Sequence, residues 1–467
     1  MSLRPTSLSL ALVLSLAGSA NAADLTQAYD LARQSDPQLA AAEARALGQR
    51  EGVVQSRAAL LPQVDITGNF SDSNGDNRSV RPISLNPLFL SSSVSNNDSR
   101  TRSWNFGVRQ SLYDHANYTA LKASKARSAK ARDDFEAATQ ALAVRVADAY
   151  FGVLTSIEVL VSARAEEVAV KRQLDQAEKR LEVGLAPITD VHEARSRYDS
   201  ARAASIAAQN SYDDFREALA EVTGKALNGL KGLAPDFQPA LPDNQEAEAW
   251  VRLALDQNPT LRSRLLDLEA SEHDIATARA DHLPTLNATF DYSDTESWGQ
   301  FVTGGSVIPS KSSGNDATVG IQLRVPLFAG FATQSRVRQA IHTRDAVRDQ
   351  AEQERRAVTR QTRNAFRALL NGMSEIDARA QALVSARSAL EATEAGYEVG
   401  TRTIVDVLIG QQQLYAAQRE LARSRHAFLV NSLRLKQAAG TVEVKDIKAV
   451  NAYLVADAEA ALDQEAP

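Results

Sequence analysis

A chain of 467 residues carries 52 Lys and Arg against 58 Asp and Glu, a net charge of −6 with the signs mixed along most of its length, which argues against nucleic acid as a partner. It has no cysteine, which excludes a disulfide framework, a CxxC metal site and a lipid-modified N-terminal cysteine. Glycine and proline are few and clustered while Ala, Leu, Glu, Arg and Gln fill the rest, the composition of long helices.

Arg4, an apolar run over residues 8–16 and the small residues ending in Ala20, Asn21 and Ala22 read as a secretory signal peptide at 1–22. Its apolar part is too short to span a bilayer, and no later stretch approaches about 18 unbroken apolar residues. The spacing then predicts helix over residues 25–59, interrupted at Asp36-Pro37 and closed before Leu61-Pro62. Beyond Pro62 the period becomes two. Val64, Ile66 and Phe70 face one way and Asp65, Thr67 and Asn69 the other, and the pattern returns at Trp104, Phe106 and Val108. A second pair of strands is expected at residues 286–292 and 319–325, with polar Ser/Asn/Gly/Asp segments at 71–102 and 294–317 read as exposed loops.

Residues 114–183 contain no proline, and Leu142, Val146, Ala149, Val153, Ile157 and Leu160 recur at helical spacing. Such a helix would be roughly 100 Å long. Residues 329–399 repeat it, and the helices expected at 25–59, 187–222, 246–281 and 403–438 are about half as long, so two laid end to end match one long helix.

Two turns join long helix to short. RLEVGLAPITDVH at 180–192 and GYEVGTRTIVDVL at 396–408 align without a gap, pairing Gly184 with Gly400 and Asp190 with Asp406 at an offset of 406 − 190 = 216. Gly184 and Gly400 suit left-handed C-terminal caps, Pro187 the first turn of the next helix, and Thr403 an N-cap. Asp190 and Asp406 then complement helix dipoles. The repeat divides the chain into a signal peptide (1–22), a first structural repeat (23–230), a linker marked by Gly and Pro (231–245), a second repeat (246–440) and an acidic tail (441–467).

Nothing here reads as an enzyme. The six histidines, His115, His192, His273, His282, His342 and His426, lack metal-ligand spacing, no cofactor motif occurs, and the two acids sit in matching helix starts without separate acid and base environments. Outward-apolar, inward-polar strands are also the signature of a membrane barrel. Four strands cannot close one, and open edges are not tolerated in lipid, so a membrane reading needs two or three chains to share a barrel of at least about eight strands.

The motifs VGLAPITDV and VGTRTIVDVL, with their spacing and the matching N-terminal halves, resemble the paired tip turns of the TolC family of bacterial outer-membrane efflux and secretion ducts. The resemblance implies a mainly α fold with a small β part: a homotrimer whose helical hairpins enclose a periplasmic tunnel, joined to a shared twelve-stranded barrel lined by Asp65, Asn69, Arg109, Gln322 and Arg324. It implies a periplasmic gate in which Asp406 forms an acidic ring and Tyr397 and Arg402 bond Thr189 and Asp190. Ile409 stands where relatives carry a second acid, so one acidic ring followed by an apolar one is expected. It further implies that linker and tail pack as a belt, and that the partners are a periplasmic adaptor, an inner-membrane pump (ABC or proton-driven) and outer-membrane lipid, with proteins or small toxic compounds as cargo. The competing readings are a periplasmic coiled-coil adaptor or scaffold without a pore, and a secreted hydrolase.

Overall fold

The computed structural model describes residues 22–85, 88–242, 246–303, 306–460 and 462. The expected signal peptide, apart from Ala22, and the end of the acidic tail lie outside the described residues. In chain order the elements are α1 (Leu25–Ser35), α2 (Pro37–Ala58), β1 (Gln63–Leu85), β2 (Leu88–Tyr113), α3 (His115–Glu182), α4 (Ile188–Thr223), β3 (Lys231–Leu233), α5 (Ala247–Gln257), α6 (Pro259–Ala280), β4 (Thr285–Thr303), β5 (Ser306–Arg324), α7 (Ala332–Glu398), α8 (Ile404–Ala439), α9 (Val444–Asn451) and β6 (Leu454–Asp457). The chain is mainly α with a small β part. Both short-helix pairs break where the residue before proline is driven into an extended conformation, with ψ of 117° at Asp36 and 118° at Asn258. Two compact units result: one holds residues up to Glu43, Phe135–Thr260 and those from Arg355 onward, the other Ala44–Asp134 and Leu261–Glu354.

The second unit contains a four-stranded antiparallel sheet in the order β1-β2-β4-β5. Val64, Ile66 and Phe70 share a face with Trp104, Phe106 and Val108, with Leu286, Phe290 and Tyr292, and with Val319, Ile321 and Leu323, because directly paired residues point the same way. Asp65, Asn69, Arg109, Asp291, Gln322 and Arg324 belong to the opposite, polar face. Gly68 makes room for an indole: a Cβ there would meet the Trp104 ring at 2.7 Å. The described residues of the segments expected as loops are strand. β1 pairs with β2 from Gln63↔Arg109 to Leu85↔Leu88, and β4 with β5 from Thr285↔Arg324 to Thr303↔Ser306. Polar residues disguise these extensions because neither face there needs an apolar stripe, while the ladder bonds are made by backbone whatever the side chain.

The first unit holds the main core. Leu142, Val146, Val153, Ile157 and Leu160 of α3 are all at most 2% exposed and pack with Leu219, Phe428, Leu429 and Leu433 of α4 and α8. An apolar window of α3 is long enough to cross a membrane, but 61% of it is buried inside the protein, as befits a core helix. Described parts of the linker and tail meet beside this core: β3 pairs antiparallel with β6, and Ala23 bridges Leu230 next to it. The Tyr150 hydroxyl lies 2.8 Å from the Lys231 carbonyl and 3.1 Å from that of Ala23, and burial pushes its pKa up, keeping it a donor.

His426 is the buried base of this core, 2.8 Å through Nδ1 from the Thr155 hydroxyl. Thr155 gives its own proton to the Phe151 carbonyl at 2.7 Å, so Nδ1 carries the hydrogen and donates. Burial, then the nearby Arg425, lowers its pKa from 6.5 to about 4. The unfolded chain therefore binds a proton that the folded one refuses, and stability present above pH 6.5 is lost as pH falls toward about 4. Denaturation midpoints measured across that window should fall steeply for the native chain and flatten in His426→Gln.

Candidate periplasmic gate at the paired helix turns

Both turns belong to the first unit. At the first, Gly184 has φ 76°, its N–H donates to the Leu181 carbonyl (2.9 Å), and the Leu185 N–H reaches back to Arg180 (2.7 Å). At the second, Gly400 has φ 78°, bonding Tyr397 (3.1 Å), while Thr401 N–H reaches Gly396 (2.8 Å). These paired bonds are Schellman caps, and a Cβ at either glycine would strain the left-handed turn.

The following helices start differently. Pro187 is not in the first turn of α4 but at its N-cap, with ψ 156°, and offers no side-chain bond. The extended ψ is what the reversal demands, and proline's fixed φ accommodates it equally well outside the helix. Thr403 caps α8 as expected, and Asp406 completes a capping box: its Oδ2 accepts from the Thr403 N–H and hydroxyl, both at 2.9 Å, and its N–H reaches Thr403 Oγ1 at 3.3 Å. The Thr403 backbone N–H and hydroxyl, then the Arg402 charge, hold the Asp406 carboxyl below the usual carboxylate range. Asp190 occupies the same first-turn position in α4 but faces a proline cap. The two aligned acids thus differ, one engaged within its own chain and one open.

Around the turns, Ile404 and Leu408 pack with Val170, Leu174, Val191 and Ala194 into a separate apolar cluster, joined at its edge by Tyr397. The Arg180 guanidinium lies 4.8 Å from the Tyr397 ring centroid, and the Arg402 side chain covers Gly396, where a Cβ would meet its Cγ at 2.8 Å. Sequence reasoning missed Arg180 and Gly396; an Arg–Tyr contact across two helices separated by more than 200 residues leaves no local signal. Ile409 follows Asp406 at helical spacing and is exposed, whereas its neighbour Leu408 is buried. Among the described residues of one chain, no hydrogen bond or ion pair engages the Tyr397 hydroxyl or the Arg402, Asp190 and Thr189 side chains.

The model of the family described as "Outer membrane efflux protein" matches residues 28–225 and again 250–441. The chain belongs to that family. It is 34% identical to the outer membrane protein TolC of Vibrio cholerae over 93% of this chain and 94% of that one. It is 29% identical to the alkaline protease secretion protein AprF of Pseudomonas aeruginosa over 95% of this chain and 90% of the other. In fold it is similar to the CmeC outer membrane channel of Campylobacter jejuni, with a TM-score of 0.70 over 97% of this chain and 98% of that one at 16% identity. The protein is an outer-membrane efflux and secretion channel with a long periplasmic extension, and the scaffold reading finds no support among these relatives.

Proposed function

We propose that three copies of this chain form one duct and that the paired turns close its periplasmic end, opening when an adaptor and an inner-membrane pump dock. The observation that carries the assembly is the four-stranded sheet. Its apolar face, Val64, Ile66, Val319, Ile321 and Leu323, is exposed, while β1 and β5 each keep one edge without a partner among the described residues. Apolar residues facing outward suit lipid, but unpaired edges do not, and three sheets joined edge to edge give 3 × 4 = 12 strands with none left open. The polar face, with Asp65, Asn69, Arg109, Gln322 and Arg324, would then line a water-filled lumen.

At the turns, Tyr397, Arg402, Thr189 and Asp190 have polar groups unengaged within one chain, which suits bonds between neighbouring hairpins and neighbouring protomers. Asp406, held ionised by its capping box, would place a ring of three carboxylates at the constriction, with Ile409 as the apolar layer behind it. The repeat boundaries at 23–230 and 246–440 fit this reading, each repeat supplying one hairpin and one tip. The similarity to AprF favours exported protein as one cargo, alongside the small compounds implied by the family.

In detergent the purified protein should run at roughly three times its chain mass until heated, and in planar bilayers it should give a low-conductance, mostly closed pore. A heat-insensitive monomer without channel activity would overturn the shared barrel.

A further inference from the structure

We propose that the segments leaving β2 and β5 form a collar that binds anionic phospholipid headgroups in the periplasm-facing leaflet of the outer membrane. The inference rests on outer-membrane placement and is independent of the gate. At the end of β2 and just past the strands, apolar side chains stand in solvent: Leu112 and Tyr113 closing β2 with Tyr118 beyond it, and Leu327, Phe328 and Phe331 after β5, with Leu327 at 92% and Phe328 at 76% exposure. The Phe328 and Phe331 rings meet edge to face at 5.5 Å. No core claims these residues, and aromatic rings beside membrane strands belong at the level of lipid headgroups.

Past the apolar residues the charge is one-sided. Residues 115–132 hold Lys122, Lys125, Arg127, Lys130 and Arg132 with no acid, and residues 325–344 hold Arg336, Arg338 and Arg344 with none. Arg127 pairs with Asp274, Lys130 with Asp134 (3.0 Å), Arg336 with Asp281 (2.9 Å) and Arg344 with Asp345 (3.1 Å). Lys122, Lys125 and Arg338 are exposed and have no acidic partner among the described residues. Tyr118, Lys122 and Lys125 follow at spacings of four and three, on one face of α3. Lys122 and Arg338 are equivalent positions of the repeat, since 338 − 122 = 216, the offset of the two tip turns.

Seven and six residues into their helices, Lys122 and Arg338 stand about 10 Å along the axis from the helix starts, within roughly a Debye length of a charged membrane surface. α4 and α8 place Asp190 and Asp406 in their first turns, as a helix dipole favours, whereas the first turns of α3 and α7 hold no acid, Asp114 capping α3 from just outside it by accepting from the Ala116 N–H at 2.9 Å. Apolar rings followed by unneutralised cations are complementary to a phosphodiester anion above acyl chains, and each cation near such a surface adds to the attraction.

The test is native mass spectrometry of the full-length protein in mixed micelles with phosphatidylglycerol or phosphatidylcholine of identical acyl chains. The native protein should retain the anionic lipid about tenfold over the zwitterionic one, a ratio that falls as salt rises. Lys122→Gln/Lys125→Gln/Arg338→Gln should bring the ratio near one, while Lys122→Arg/Lys125→Arg/Arg338→Lys should keep it. Lys171→Gln/Arg172→Gln/Arg387→Gln, which removes exposed cations elsewhere, should also leave it unchanged. Heat-modified mobility reports whether each variant assembles; if the triple variant fails, Lys122→Gln/Arg338→Gln and the native salt dependence decide. No lipid preference in the native protein, or an unchanged ratio in the glutamine variant, would overturn the proposal. A changed ion selectivity with an unchanged lipid ratio would do so too, by assigning these charges to the lumen.

Discussion

Single-channel conductance should rise severalfold when Tyr397→Phe and Arg402→Ser are combined, with trimer and heat-modified mobility intact. Within one chain the Tyr397 ring is fixed by Arg180 at 4.8 Å and by the apolar cluster around Ile404, contacts that phenylalanine keeps. What the double variant removes is a hydroxyl and a guanidinium that make no hydrogen bond or ion pair among the described residues of one chain, so the tip's own hairpins should stay folded. Bonds of this kind near water contribute only about 1–2 kcal/mol each. A closed state held by a few of them persists alone and yields to a docking partner. Unchanged conductance in planar bilayers would mean that these side chains serve their own turns and not the closure.

Asp406→Asn should abolish most of the pore's cation preference, measured as reversal potential under a salt gradient. On the proposed assembly, three carboxylates at one aperture would concentrate cations, and Ile409 would offer no second layer to hold a multivalent ion. Ile409→Asp should therefore strengthen multivalent block. The capping box complicates the first variant, because asparagine changes the helix start as well as the charge. Thr403→Ala separates the two: it weakens the cap while leaving the carboxylate, so cation preference should survive. The sign with pH follows from the depressed pKa of Asp406, whose contribution to stability is present above the unfolded carboxylate value and lost as pH falls through the folded one. Like charges on neighbouring protomers act in the opposite sense and would make the ring titrate in coupled steps. An Asp406→Asn pore of undiminished selectivity would locate the filter elsewhere.

The parts of this molecule written in local code could be read directly from the chain. Gly184 and Gly400 announce helix ends because only a residue without Cβ sits easily in a left-handed turn, and Asp36-Pro37 and Asn258-Pro259 announce breaks because proline bars helix before it. Thr403 is legible as a cap, but its reciprocal bond with Asp406 depends on side-chain geometry across three residues, which the residue types alone do not specify. What stayed illegible depends on distant partners. The outer reaches of β1 and β2 carry no alternating pattern and are strands because each has the other to pair with. Lys231–Leu233 reads as linker because its partner strand lies more than 200 residues downstream. The contrast between the aligned acids turns on one substitution, proline for threonine at the N-cap, whose effect on a carboxylate three residues later is geometric.

The pairing of β3 with β6 bears on how the chain is made. Leu233 meets Leu454 and Lys231 meets Asp457, and Leu230 beside them bridges Ala23. An exported polypeptide emerges N-terminus first, so the first repeat must wait, with this edge uncovered, until nearly the last described residues arrive. A message truncated shortly before Leu454 would yield a product possessing every gate and barrel element yet lacking the strand that closes the seam.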